Sequence, residues 1–200
     1  MRGIINKIVE ENEKWSKLEY CLQAVTKDGL NLRFVKNQTP KICLAAVKQN
    51  GNALQYVKNQ TLKICMAAVM QDGLALQYVE KQTPGICLAA VKQEGWALKY
   101  VKEQTPQICL AAVKNNGWAL VYVKNQTPEI CLAAVKQNGL LLKYVREQTP
   151  EICFEAIKQD PNAYKFVRLP DSEKERDKFL KDLGLLLLSF FFSEPFLKNF

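Results

Sequence analysis

Two hundred residues suffice for one domain or a short repeat array, and 48% hydrophobic with 24% charged residues is the composition of a folded chain. Histidine is absent, which removes His general bases, Ser–His and Cys–His nucleophile pairs and His metal ligands. The net charge of +8 permits an acidic or nucleic-acid partner without requiring one.

The first ten residues lack a long apolar core and a small-residue cleavage site, so they do not read as a secretion signal. Ile4, Ile5, Ile8 and Val9 form an amphipathic stripe expected on an N-terminal cap helix. Residues 1–28 are read as that cap followed by a degenerate half repeat, Tyr20-Cys21-Leu22-Gln23-Ala24-Val25.

From there a repeat takes over. Cys21, Cys43, Cys65, Cys87, Cys109, Cys131 and Cys153 are each 22 residues apart, and an Ala-Val or Ala-Ile pair and a glycine keep the same beat. Six near-identical units fill 29–160, which is the signature of a stacked array. In the unit 117–138, Thr127-Pro128 marks a helix start: Thr accepts from an orphan backbone N–H, and Pro loses no bond at the first helical position. Gly139 is expected to end that helix in the left-handed conformation, so a helix of about eleven residues is expected from Pro128 to Asn138. Ala119, Leu120, Tyr122 and Val123 recur at helical spacing and predict a shorter helix between Gly117 and Thr127. Two strands per unit fit poorly with the Ala-rich Ile-Cys-Leu-Ala-Ala-Val segment and its caps. Helices this short are marginal alone, so stacking must supply the core. The expected fold is all-α: an α-solenoid of stacked short helix pairs with helical caps at both ends, neighbouring units roughly 10 Å apart.

Residues 161–200 are read as a partial repeat, with Pro161 where glycine is expected, and a capping helix opened by Pro170-Asp171-Ser172. Its first turns are charged (Glu173 to Lys178) and its later ones apolar (Phe179, Leu180, Leu183, Leu185 to Leu188). The apolar run is shorter than the ~20 residues that span a membrane. It is expected either to fold onto the last repeat or to serve as a partner or membrane-surface anchor through Phe190, Phe191, Phe192 and Phe196.

The phrases Ala-Ala-Val-Lys-Gln-Asn-Gly (45–51) and Gln-Thr-Pro-Glu-Ile-Cys-Leu (126–132) resemble an uncharacterised family of 22-residue helical repeats associated with large DNA viruses and some bacteria. The resemblance covers about 18–168, with local departures at Leu62, Gly85 and Pro161. It implies a protein-interaction array, often from viruses or mobile elements; it supplies no enzyme activity and no defined site residues to expect.

The cysteines are expected to be buried small hydrophobes in a reducing, cytosolic compartment (the host cytosol if the chain is viral), since their number is odd. Equivalent thiols in neighbouring units would lie roughly 8–10 Å apart, too far for a disulfide or a tetrahedral zinc site. Phe34, Tyr56, Tyr78, Tyr100, Tyr122, Tyr144 and Phe166 form a ladder expected to pack in the core, with base stacking as the alternative. Trp96 and Trp118 replace Leu or Asn in two adjacent units; they either pack toward Val91 and Val113 or anchor a partner.

Two basic rows are expected to face outward. One contains Arg33, Lys36, Lys99 and Lys102, the other Lys48 and its equivalents Lys92, Lys114, Lys136 and Lys158. The repeats hold 16 basic and 9 acidic residues, so the positive charge belongs to them. The second residue of the longer helix runs Lys41, Lys63, Gly85, Gln107, Glu129, Glu151, and a helix N-terminus favours the anions at the end of that series. Lys41, Lys48 and Lys63 are therefore read either as a solvated face or as a basic patch for an acidic surface or an RNA backbone.

The expected function is a noncatalytic scaffold that binds a protein, with no cofactor, metal or small-molecule substrate. One version is a phage- or virus-encoded inhibitor that covers a host defence protein such as an RNA-guided nuclease complex. The alternative is RNA binding through the basic rows, although Val121 in the series Arg33, Gln55, Gln77, Lys99, Val121, Lys143 can read no base. No phosphate-cradling glycine loop, paired-carboxylate motif or metal set supports an enzyme.

Overall fold

Each repeat starts where a Thr hydroxyl accepts from the backbone N–H three residues on, as Thr39 does from Ile42 at 3.4 Å and Thr105 from Ile108 at 3.3 Å. A computed structural model describes residues 13–191, with side chains through residue 188. The N-terminal stripe at Ile4, Ile5, Ile8 and Val9, and the side chains of Phe190, Phe191, Phe192 and Phe196, lie outside the described residues.

The Thr caps open α-helices α2 (Pro40–Gln49), α3 (Leu62–Gln71), α4 (Pro84–Gln93), α5 (Pro106–Asn115), α6 (Pro128–Val135) and α7 (Pro150–Gln159). Helix α1 (Leu18–Lys27) precedes them and carries the degenerate half repeat. After each comes a six-residue 3-10 helix: η1 (Gly29–Phe34), η2 (Gly51–Tyr56), η3 (Gly73–Tyr78), η4 (Gly95–Tyr100), η5 (Gly117–Tyr122), η6 (Gly139–Tyr144) and η7 (Pro161–Phe166). Helix α8 (Glu173–Phe191) follows.

The chain divides into two compact units, one ending at Glu103 and the other beginning at Gln104. In the first, α1, α2, α3 and α4 pack in order, and η1, η2, η3 and η4 stack in step behind them. In the second, α5, α6, α7 and α8 pack in order with η5, η6 and η7. Both are stretches of α-solenoid, and no strand occurs among the described residues.

The core repeats as the sequence does. Ile64, Cys65, Ala68 and Val69 of α3 join Ala75 and Leu76 of η3 and the following Val79, all at 4% exposure or less. Full burial of one such Ile or Leu contributes about 1.5–3 kcal/mol, which is how ten-residue helices persist once stacked. At the C-terminal end Phe179 and Leu183 of α8 are buried, and α8 packs on α7. The 179–183 stretch of α8 therefore caps the last repeat, while Leu180, Leu185 and Leu188 remain exposed. No helix among the described residues is long and apolar enough to cross a membrane.

Two local expectations are corrected. The helix expected from Pro128 to Asn138 ends at Val135, and its equivalents end one residue before the Asn, Asp or Glu position. Asn138 is extended (φ −151°, ψ 109°) because it caps the next element, its Oδ1 accepting from Leu140 N at 3.0 Å. The glycine after it does not end a helix in the left-handed conformation: no described glycine has positive φ. It is instead the first residue of the 3-10 helix and lies against the backbone of the next repeat. A Cβ on Gly51 would stand 2.7 Å from the Ala68 carbonyl oxygen and 2.9 Å from Gln71 Oε1.

Candidate functional site

The constant glutamines bond across repeats. The Gln before each helix-opening Thr reaches from its own loop to the next: Gln60 Nε2 donates to the Tyr78 carbonyl at 2.8 Å, and its Oε1 accepts from the N–H of Glu80 at 3.1 Å. Gln38, Gln82, Gln104, Gln126 and Gln148 repeat both bonds. A second Gln, near the end of the α-helix, serves the glycine: Gln71 Oε1 accepts from Gly51 N at 2.5 Å and Gln93 Oε1 from Gly73 N at 2.6 Å. Among the described residues no buried side-chain polar atom lacks a partner. Neither Gln ladder was anticipated from the sequence. The signal was there: Gln stands before every Thr-Pro or Thr-Leu although its neighbours vary.

One basic row is partly structural. Lys58 Nζ donates to the Lys36 carbonyl at 3.1 Å, Lys102 Nζ to the Glu80 carbonyl at 3.3 Å, and Arg146 to the carbonyls of Lys124 and Val123. Arg168 likewise donates to the Val145 and Arg146 carbonyls. These cations brace the carbonyls of the preceding loop, so Lys102 is tied to its own fold as well as exposed. Lys36 is exposed on the same row.

On the 3-10 face, three basic residues lie over the aromatic ring that follows them, and Lys165 lies over the preceding Tyr164. Arg33 Cζ is 4.6 Å from the Phe34 ring centre, Lys99 Nζ 5.4 Å from Tyr100 and Lys143 Nζ 4.7 Å from Tyr144. Most of the aromatic ladder is half-buried, with Phe34 and Tyr144 exposed. Trp15 packs against Phe34 (5.3 Å between ring centres) and Tyr20 (5.1 Å). Trp96 and Trp118 each occupy the second position of a 3-10 helix, 37% and 38% exposed. Trp118 packs edge-on against Tyr144 at 5.8 Å, so part of its ring is a contact between repeats.

The α-helix face is different. Lys41, Lys48 and Lys63 are exposed, and Lys41 and Lys48, seven residues apart, share one side of α2. Helices α2, α3 and α4 contain no Asp or Glu. Helices α6 and α7 contain Glu129, Glu151 and Glu155, the last 4.0 Å from Lys136.

The seven cysteines are buried and unpaired. Each thiol from Cys43 to Cys153 donates weakly to the Gln five residues earlier, at 3.5 to 3.7 Å. Burial raises all seven pKa values above the ordinary thiol range, to about 11 for Cys131 and Cys153. That is the reverse of an activated nucleophile. No group of potential metal ligands comes together among the described residues.

Six overlapping stretches, 18–63, 40–82, 61–105, 83–127, 105–148 and 127–169, match a domain of unknown function, DUF4116. No curated protein matches the chain, and no solved structure does.

Proposed function

The chain belongs to the DUF4116 family, a domain of unknown function, and from that premise we propose that it is a noncatalytic repeat scaffold that binds a protein. One observation carries the reading: the Gln and Gly positions that are constant between repeats are taken up by bonds from one repeat to the next, and positions that vary are displayed. The Gln and Gly positions are occupied by bonds that hold repeat to repeat, and the Thr hydroxyl caps its own helix. The second position of the 3-10 helix (Asn52, Leu74, Trp96, Trp118), its fifth (Arg33, Gln55, Lys99, Val121) and the second residue of the α-helix (Lys41, Lys63, Glu129) vary in identity and charge and lie partly or fully exposed. A repeat array built this way changes its ligand without changing its fold.

An inhibitor that covers a host defence protein is one instance of this chemistry. The buried, unpaired thiols fit a reducing, cytosolic setting. The RNA alternative is favoured only by the basic rows, and several of those cations already bond backbone carbonyls.

The test is capture from lysate with and without nuclease treatment, comparing the wild type with a variant carrying Trp96→Leu, Trp118→Leu, Lys41→Gln and Lys63→Gln. Proteins retained by the wild type and lost by the variant are the expected result. Capture that nuclease abolishes, or binding to RNA that weakens steeply with salt, would overturn the reading.

A further inference from the structure

Helix α3 departs from its neighbours at three positions on one stripe. Leu62 stands where the other repeats from α2 to α7 have Pro, Met66 where they have Leu or Phe, and Met70 where they have Lys. The three are spaced i, i+4 and i+8, so they run along one side of the helix for about 12 Å. In α2–α7, Leu62 (62%) and Met70 (67%) are the large apolar side chains left exposed, and Met66 is half-buried.

Two further features surround the stripe. Beyond Leu62 a groove of about 410 Å³ opens, with Cys65 and Ile86 in its wall and Lys58, Lys81 and Glu80 at its rim. Around it α2, α3 and α4 carry Lys41, Lys48, Lys63 and Lys92 and no carboxylate. The acids at their C-terminal ends are engaged as caps: Asp72 accepts from Leu74 N and Glu94 from Trp96 N. An adaptable Met- and Leu-lined strip in a positive field fits a segment that is apolar on one side and acidic on the other.

Resting on the scaffold reading, we propose that the outer face of α2, α3 and α4 docks an acidic amphipathic helix of a protein partner, with Leu62, Met66 and Met70 receiving its apolar anchors. Anchors spaced three and four apart on such a helix match a straight strip of this length. The lysines on either side pair with its carboxylates and set its direction of approach.

The test uses the full chain and a fluorescent synthetic peptide with Leu on one helical face and Glu on the other. A control peptide replaces every Leu by Ser at the same charge, and a labelled oligouridylate is the third probe. The key variant, Leu62→Pro with Met70→Lys, restores residues the neighbouring repeats already carry. Thr61 (φ −103°, ψ 157°) has the same backbone as Thr39 before Pro40 (φ −95°, ψ 156°), so proline enters without rearrangement.

The wild type is expected to bind the Leu/Glu peptide at least about tenfold more tightly than the restored variant does, the effect of removing interface anchors. Lys48→Glu with Lys63→Glu is expected to weaken it similarly, and the Ser control to bind the wild type weakly and the restored variant, which gains a positive charge at position 70, no less well. Equal binding of the Leu/Glu peptide by wild type and restored variant, or none by the wild type, would sink the docking proposal and leave the scaffold reading standing. Preference for oligouridylate over both peptides would remove the scaffold reading too. Self-association in sedimentation that the restored variant loses would assign the stripe to a second copy and overturn the proposal.

Discussion

Gln60 closes the 3-10 helix that ends at Tyr78: its carboxamide nitrogen lies 2.8 Å from the Tyr78 carbonyl oxygen, although 18 residues separate them. The same carboxamide accepts from Glu80 N. Gln60→Leu leaves the Tyr78 carbonyl, the Glu80 N–H and the weakly donating Cys65 thiol without this partner and is expected to cost about 1–3 kcal/mol, measured by urea denaturation. Gln60→Glu keeps the acceptor but loses the donor while ionised. Only its protonated form can donate to Tyr78, so its folded-state pKa lies above the unfolded value of about 4.3. The native state then binds more protons, and this variant is expected to gain stability as pH falls toward that value, where the wild type shows no such gain.

Two glycines predict opposite signs. Gly51→Ala drives a methyl group into the Ala68 carbonyl at 2.7 Å and the Asp72 Cβ at 2.9 Å, backbone and near-backbone atoms that cannot swing aside. A loss of about 1–3 kcal/mol is expected. Gly85→Ala sits in the first turn of α4 with Thr83 Oγ1, at 4.0 Å, as its nearest neighbour. There alanine is expected to add about 0.5–1 kcal/mol, because it removes backbone freedom from the unfolded chain. Thermal melts of the two variants check both signs.

The thiols predict an alkaline limit. Cys131 and Cys153 titrate near 11 when folded, against an ordinary value of 9.0, because burial penalises the thiolate. Between those values the unfolded chain has lost protons that the native chain retains. Stability from this source is complete below pH 9 and falls as pH rises toward 11. Urea midpoints measured across that range should decline, and Cys131→Ala with Cys153→Ala should flatten the decline. At neutral pH a thiol reagent should label the folded chain far more slowly than the urea-unfolded one.

Leu62→Pro by itself is expected to stabilise the chain. The residue before it already has the extended backbone proline requires, and the first helical position has no intrahelical donor to lose. A gain of about 0.4–1 kcal/mol should appear as a higher melting temperature. Equal stability or a loss would show that Leu62 makes contacts worth more than the entropy proline removes.

Much of the candidate surface was legible one repeat at a time. Exposure of Lys41, Lys48 and Lys63 follows from their positions on a helix whose other side carries Ile42, Cys43, Ala46 and Val47. The tethering of Lys102 and its equivalents was not legible, because the carbonyls they meet belong to a loop 22 residues away. The Met70 stripe was visible as letters but had no meaning until exposure showed that nothing covers it among the described residues.

The sequence alone determined the period, the Thr-Pro start of each helix, the all-α class and the buried identity of the cysteines. Each of these depends on local capping chemistry or on an apolar pattern that recurs every 22 residues. Tertiary structure decided why glycine stands after each helix, what the two Gln rows do, and which basic side chains remain on display. Those answers depend on which atom of the adjacent repeat lies across a gap of about 3 Å, and one-dimensional order does not contain that distance.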